Sequence, residues 1–350
     1  MSIRKLVAAA ATAVLLAGCA GTPAPSGTPA SGTPSAPTES GTLTVITHDS
    51  FALGEKTIAA FKAETGYDVT FVAPGDAGTV VNQLILTKDA PLGDVVFGID
   101  NTFAGRAIGA GILSPYTSPA LPEGADAFAA DDTHALTPVD YGDVCVNADT
   151  RWFAAKGLAV PRTLDDLARP EYAGLLVVEN PASSSPGLAF LAATVGAKGD
   201  PGYLDYWKAL KANGVKVVKG WTEAYTVEFS GSSGKGDRPL VVSYASSPAY
   251  EPATEALTST CFRQVEYAGV LAGAQNEVGA RKFVDFLLSP AVQAEIPESM
   301  YMSPVDPDVE LPADWKAHAA RVDAPIQVPV AELGAKREQW IKEWTAGVIG

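Results

Sequence analysis

Leu43-Thr44-Val45-Ile46-Thr47, followed by the amphipathic stretch 55–65 and the β-rich run 68–72, decides the fold class. Branched apolar residues and threonines make the first run a strand. In the second, Ile58, Ala59 and Phe61 fall on one helical face, and Gly66 is placed to stop the helix. The same order then repeats, with a helical stretch at 79–87, the buried strand Val95-Val96-Phe97-Gly98, and a helix at 102–110 ended by Gly111. Alternation of this kind predicts a parallel, doubly wound α/β sheet with helices on both faces. Ligands of such sheets sit beyond the carboxyl ends of the strands. Function is therefore expected in the loops His48-Asp49-Ser50-Phe51, Pro74-Gly75-Asp76-Ala77-Gly78 and Asp100-Asn101-Thr102.

A second α/β series begins after residues 139–147, with strands at 175–178, 215–218 and 239–244, helices around 188–195 and 202–212, a further crossing strand at 263–271 and an amphipathic helix at 277–288. Two crossings imply two lobes joined by a two-segment hinge. Residues 42–140 and 268–350 form the first lobe, residues 141–267 the second, and the C-terminal helix packs on either. A cleft between two such lobes closes by hinge motion. Cys145 and Cys261 lie at the two crossings, so a disulfide would staple neighbouring hinge strands; two buried free thiols are the alternative.

Redox compartment follows from the N-terminus. Arg4 and Lys5 precede the apolar run 6–17, too short to span a membrane, so residues 1–18 read as a secretory signal. Leu16-Ala17-Gly18-Cys19 has the form of a bacterial lipobox, which makes Cys19 the expected lipidation site. Cleavage before Cys19 would remove Arg4 and Lys5 and take the net charge from −15 to two units lower, −17. Residues 19–41 are nearly all Ala, Gly, Thr, Pro and Ser, a composition that cannot bury enough apolar area to offset its ordering entropy. Anchor, stalk and globular body place the chain on the outer face of the cytoplasmic membrane, extracellular or periplasmic, as a monomer.

Charge and composition exclude several classes. With 40 Asp and Glu against 25 Lys and Arg, the chain lacks the basic surface that nucleic acid demands. Its 33 Gly and 26 Pro rule out a coiled coil. His48, His134 and His318 are too far apart in sequence to suggest a metal site, and no cofactor motif occurs. Catalytic motifs are equally scarce: Ser232-Ser233-Gly234-Lys235 matches S-x-x-K, but without the accompanying triplets and in a surface-loop context. Three aromatic clusters stand out instead. They are Gly220-Trp221-Thr222-Glu223-Ala224-Tyr225, Ser243-Tyr244-Ala245-Ser246-Ser247-Pro248-Ala249-Tyr250 and Pro297-Glu298-Ser299-Met300-Tyr301-Met302-Ser303-Pro304. Aromatic faces near carboxylates suit a flat cation, because the ring quadrupole attracts positive charge; core packing is the alternative for each ring. Ser183-Ser184-Ser185, just before a helix, would cap it or hold a ligand oxygen there.

These segments, with Asp94-Val95-Val96-Phe97-Gly98-Ile99-Asp100-Asn101, Val139-Asp140-Tyr141-Gly142 and Trp340-Ile341-Lys342-Glu343-Trp344, resemble the thiamine-binding substrate-binding proteins of ABC importers. The resemblance runs in order from Leu43 to the C-terminus. It implies a type II periplasmic-binding fold, no enzymatic activity, capture of thiamine or its phosphates, and delivery to an ABC permease with its ATPase. It further implies stacking by Trp221, Tyr244, Tyr250 and Tyr301, charge compensation by Asp49 and Asp100, and a ligand hydroxyl or phosphate end near Ser184; His48, Asp76, Ser185 and Tyr225 complete the candidate set. His48 and Tyr301 stand where some relatives carry Tyr and Trp. The loop after Phe51 lacks a Trp found in others, which points to free thiamine. The two-lobe pattern alone fits ferric-ion or polyamine receptors equally well, and a secreted serine hydrolase using Ser232 or the Ser184 region is the rival from another class.

Overall fold

Strand and helix follow the apolar pattern closely in the first half of the chain. A computed structural model describes residues 41–232 and 236–350. The expected signal, the Cys19 anchor and nearly all of the stalk, together with Ser233-Gly234-Lys235, lie outside the described residues. The opening elements are β1 (Gly41–Ile46), α1 (Glu55–Thr65), β2 (Tyr67–Val72), α2 (Ala77–Leu86), β3 (Val95–Asp100) and α3 (Ala104–Gly109). Gly66 ends α1 in the left-handed region, with φ 79°, where a glycine meets no Cβ penalty. Phe61 is the buried anchor of α1, packed on Phe283 and Phe286 at ring separations of 5.4 and 4.9 Å. Burying such a ring contributes about 1.5–3 kcal/mol. Ala59, expected on the inner face, is exposed, because the helix presents a narrower stripe than its apolar spacing suggests.

Next come β4 (Leu113–Ser114), β5 (Thr137–Asp149), α4 (Thr150–Lys156), α5 (Leu164–Leu167), β6 (Leu176–Glu179), α6 (Ser185–Lys198), α7 (Gly202–Ala212), β7 (Lys216–Val218), α8 (Trp221–Glu223) and β8 (Leu240–Tyr244). The chain closes with β9 (Thr254–Leu271), α9 (Glu277–Leu287), α10 (Pro290–Met300), β10 (Ser303–Pro304), α11 (Ala313–His318) and α12 (Val330–Trp344). The strands form one mixed sheet in the order β2-β1-β3-β9-β5-β8-β6-β7, with β10 on β5 and β4 on β9. Helices cover both faces, and among the described residues no helix is long and apolar enough to cross a membrane.

The expected parallel sheet is present only at the two ends. β1, β2 and β3 are parallel, as are β6, β7 and β8, but β9 and β5 run antiparallel to each other and to their neighbours β3 and β8. Two long crossing strands thus separate two α/β halves. Both carry register shifts, one between Val144 and Val146. There Val146 N donates to Thr260 Oγ1 at 2.9 Å, and Cys145 is disulfide-bonded to Cys261 across a sequence separation of 116 residues. Both cysteines are fully buried, so the alternative of two free thiols is set aside.

The C-terminal helix touches both halves. Trp344 packs edge-on against Trp207 of α7 at 5.4 Å, while Arg337 lies over Phe103, just before α3, at 4.3 Å.

Candidate functional site

The loops after β1 and β2 carry His48-Asp49-Ser50 and Asp76, and α6 and α8 begin opposite them at Ser185 and Trp221. A cleft of ≈ 210 Å³ lies between, completed by Pro186, Thr222, Tyr244, Glu266 and the run Ser299-Met300-Tyr301-Met302. Asp49, Asp76 and Glu266 give the walls three carboxylates, and Trp221, Tyr244 and Tyr301 give them three aromatic rings.

Each ring is held by the fold. Trp221 donates its Nε1–H to Ser243 Oγ at 2.9 Å and stacks on Tyr225 at 4.9 Å with 13° between the planes. Its other neighbours, Tyr301 and Tyr244, are tilted at 6.0 and 6.2 Å. Tyr301 occupies the C-cap of α10 with φ 63°, a conformation unusual for a side chain of this size and of the kind stored at functional sites. Tyr250 packs on it at 4.3 Å and donates to Pro297 O at 2.5 Å. Tyr225 and Tyr250 therefore back the cleft aromatics and do not line the cleft.

His48 reaches the cleft because β3 carries Gly98. An added Cβ there would stand 2.1 Å from His48 Cδ2, and φ is +92°. The backbone N–H of Ser50 donates to His48 Nδ1 at 3.2 Å, which leaves the proton on Nε2, 3.6 Å from Glu266 Oε2. Glu266 in turn accepts from Gln264 Nε2 at 2.9 Å, and the same amide donates to Tyr244 Oη at 3.3 Å.

Asp76 ties the two halves together. Its Oδ1 accepts from Ala77 N and Ser185 N at 2.7 and 3.2 Å, and its Oδ2 accepts from Trp221 N at 3.1 Å. The carboxylate thus sits at the N-termini of α2, α6 and α8, a setting that favours negative charge. Burial outweighs those donors and pushes its pKa up. Across the same gap Ser50 Oγ and Thr222 Oγ1 are 3.1 Å apart, and Thr79 N donates to Ser183 O at 3.3 Å.

The serines divide their tasks. Ser184 caps α6, its Oγ accepting from Gly187 N at 3.4 Å, whereas Ser185 lines the cleft. Asp100 does not line it: the residue is fully buried, and its Oδ1 accepts from Thr102 N, Thr102 Oγ1 and Phe103 N at 2.8, 2.6 and 2.9 Å. A carboxylate just after a strand turns back on its own loop as readily as outward. Burial raises the Asp100 pKa to about 6. Asp140, buried beside Glu266, is pushed well above the usual carboxylate range by burial first and the Glu266 charge second.

A carboxyl with a raised folded-state pKa holds a proton that the unfolded chain releases, so its contribution to stability is lost as pH rises from the unfolded value toward the folded one. For Asp100 that window runs from 3.8 to about 6. The protein is expected to gain stability over Asp100→Asn on going from pH 7 to pH 4.5, read as the difference in urea midpoint. A difference independent of pH would contradict this assignment.

Glu266, Met300 and Met302 escape reasoning from the strand-end loops. Glu266 had a signal, a carboxylate in the middle of the otherwise strand-like Arg263-Gln264-Val265-Glu266-Tyr267.

Fold and site together have the form of a solute receptor of the type II periplasmic-binding class, and kinship with the proteins that follow makes the chain a binding protein, not an enzyme. Residues 90–325 match the model of the bacterial extracellular solute-binding proteins, and the chain belongs to that family. It is 30% identical to the thiamine-binding periplasmic proteins of Brucella suis, over 87% of this chain and 91% of that one, and of Escherichia coli, over 87% and 93%. A solved periplasmic thiamin binding protein superposes with a TM-score of 0.76 at 29% identity, covering 88% of this chain and 96% of that one.

Proposed function

We propose that the protein captures thiamine in the cleft between the two halves of the sheet and delivers it to an ABC permease with its ATPase. The observation that carries this reading is the pairing of three carboxylates with three aromatic rings around one cleft. Thiamine joins a permanently charged thiazolium to an aminopyrimidine, so it calls for stacking faces, nearby negative charge and donors and acceptors for its ring nitrogens. Trp221, Tyr244 and Tyr301 supply the faces. Glu266 and Asp49 supply the charge, and Ser185 and His48 supply hydrogen-bonding groups. Free thiamine is the form assigned, since Asp49, Asp76 and Glu266 oppose an added phosphate.

Lobes 42–140 with 268–350 and 141–267 would open about β5 and β9 to admit the ligand. The bonds from Ser185 N and Trp221 N to Asp76 exist only when the halves meet, so they reward closure. Tethering through Cys19 on the outer face of the membrane would keep a monomeric receptor near its permease.

The rivals are less well supported. A ferric site would need Tyr244 and Tyr250 to converge, but Tyr250 Oη is committed to Pro297 O and lies outside the cleft lining. For a hydrolase, Ser232 Oγ donates to the Tyr225 carbonyl and is also outside it. Calorimetric titration with thiamine tests the proposal: saturable heat at micromolar concentration or below is expected, and its absence, or a phenolate-to-iron absorbance band on adding ferric ion, would contradict it.

A further inference from the structure

Three carboxyls stand in one row across the middle of the sheet. Glu266 of β9 is paired with Asp100 of β3 on one side and with Asp140 of β5 on the other. Residues directly opposite in antiparallel strands send their side chains to the same face, with Cβ atoms about 4.5–5.5 Å apart, and like charges so placed repel. All three are buried, Asp100 and Asp140 completely and Glu266 at 4% exposure. Arg263, the cation nearest in sequence to Glu266, does not relieve the row: its Nε and Nη2 donate to Asp143 Oδ1 and Oδ2 at 3.0 and 2.8 Å.

The members of the row differ in what they receive. Asp100 takes its hydrogen bonds from Thr102 and Phe103 of its own loop. Glu266 accepts from Gln264 Nε2 at 2.9 Å, has His48 Nε2 at 3.6 Å, and borders the cleft. Asp140 receives nothing: both of its oxygens are sealed from solvent with no donor among the described residues, and its β10 partner, Pro304, has no N–H to offer. An ionised carboxylate there would be buried without compensation beside a second negative charge. A proton on Asp140 removes both costs, because the hydroxyl so formed donates to Glu266, its hydrogen-bonding neighbour. Glu266, with donors of its own, is the better seat for the charge.

We propose that Asp140 is a positioning residue for ligand capture: it holds a proton, donates it to Glu266, and so fixes Glu266 as the one charged carboxyl of the pair, aimed at the cleft. A buried charge held by fewer donors is less stable as a charge and freer to turn, and either change weakens its pull on a cation. Thiamine enters as the ligand from the reading above; the proton on Asp140 does not depend on it.

Infrared difference spectra and calorimetry test this together. Near neutral pH, the spectrum of the full chain minus that of Asp140→Asn is expected to show a protonated-carboxyl C=O band, which shifts when the protein is grown with isotope-labelled aspartate. Asparagine keeps a donor towards Glu266 and alanine does not. Asp140→Asn should therefore bind thiamine within about threefold of wild type, and Asp140→Ala at least about tenfold more weakly. Should Asp140→Ala fail to fold, the band and the asparagine affinity still decide. Overturning results are no such band, a band that answers to labelled glutamate instead, a loss of about tenfold in Asp140→Asn, which would make Asp140 a charge in its own right, or native affinity in a folded Asp140→Ala. A wild-type chain giving no saturable heat with thiamine would sink the functional reading, and the band would still test the proton.

Discussion

Alanine at position 221 is expected to weaken thiamine binding by about 1–3 kcal/mol, roughly a 5- to 150-fold loss in affinity. Trp221 is the ring with the most support: Tyr225 stacks behind it at 4.9 Å, Ser243 Oγ accepts its Nε1–H at 2.9 Å, and its backbone N–H is bound to Asp76. That support pre-positions an indole face beside Glu266, Asp49 and Asp76, where a thiazolium meets both the ring quadrupole and nearby carboxylates. Trp221→Phe keeps a face and loses the Ser243 bond, so it should fall between wild type and alanine. Parallel melting curves separate a binding loss from a folding loss. Unchanged affinity in Trp221→Ala would mean that the ring belongs to the core.

Removing the disulfide is the second large effect. Cys145→Ala together with Cys261→Ala is expected to lower unfolding free energy by about 2–5 kcal/mol, the usual range for a native bridge. The bond closes a long loop, and it does so where the pairing of β5 and β9 is interrupted between Val144 and Val146. Chain entropy in the unfolded state therefore carries most of the effect, with a smaller part from the neighbouring Ala245 and Ala256. Neither cysteine lines the cleft, so the folded double variant should bind thiamine with near-native affinity. Equal urea midpoints with and without the bond would refute the assignment.

The fold was legible where information is local. Helix α1 begins and ends at the residues its periodicity and Gly66 predict, and β1, β2, β3, β6, β7 and β8 appear where branched apolar runs occur. What local pattern cannot carry is pairing direction. β9 begins with Thr-Glu-Ala-Leu-Thr-Ser-Thr, a stretch with little apolar content, and becomes strand because β5 offers it partners across the centre of the sheet. The site divides in the same way. Trp221, Tyr244 and Tyr301 converge as the aromatic clusters suggest, but Tyr225 and Tyr250, from the same clusters, back those rings. Asp100 and Glu266 exchange the roles that position alone assigns. The strand-end aspartate caps its own loop, and the glutamate within a strand faces the cleft, since side-chain direction in a strand depends on its register with β5.

The central claim is that thiamine lies in this cleft between the two halves of the sheet. A crystal structure of the protein grown with thiamine tests it most directly. The account predicts the thiazolium against Trp221 and Tyr301 with Glu266 or Asp49 beside its charge, and the bonds from Ser185 N and Trp221 N to Asp76 intact. Thiamine bound anywhere else on the chain, or a cleft that excludes it at saturating concentration, would contradict the account.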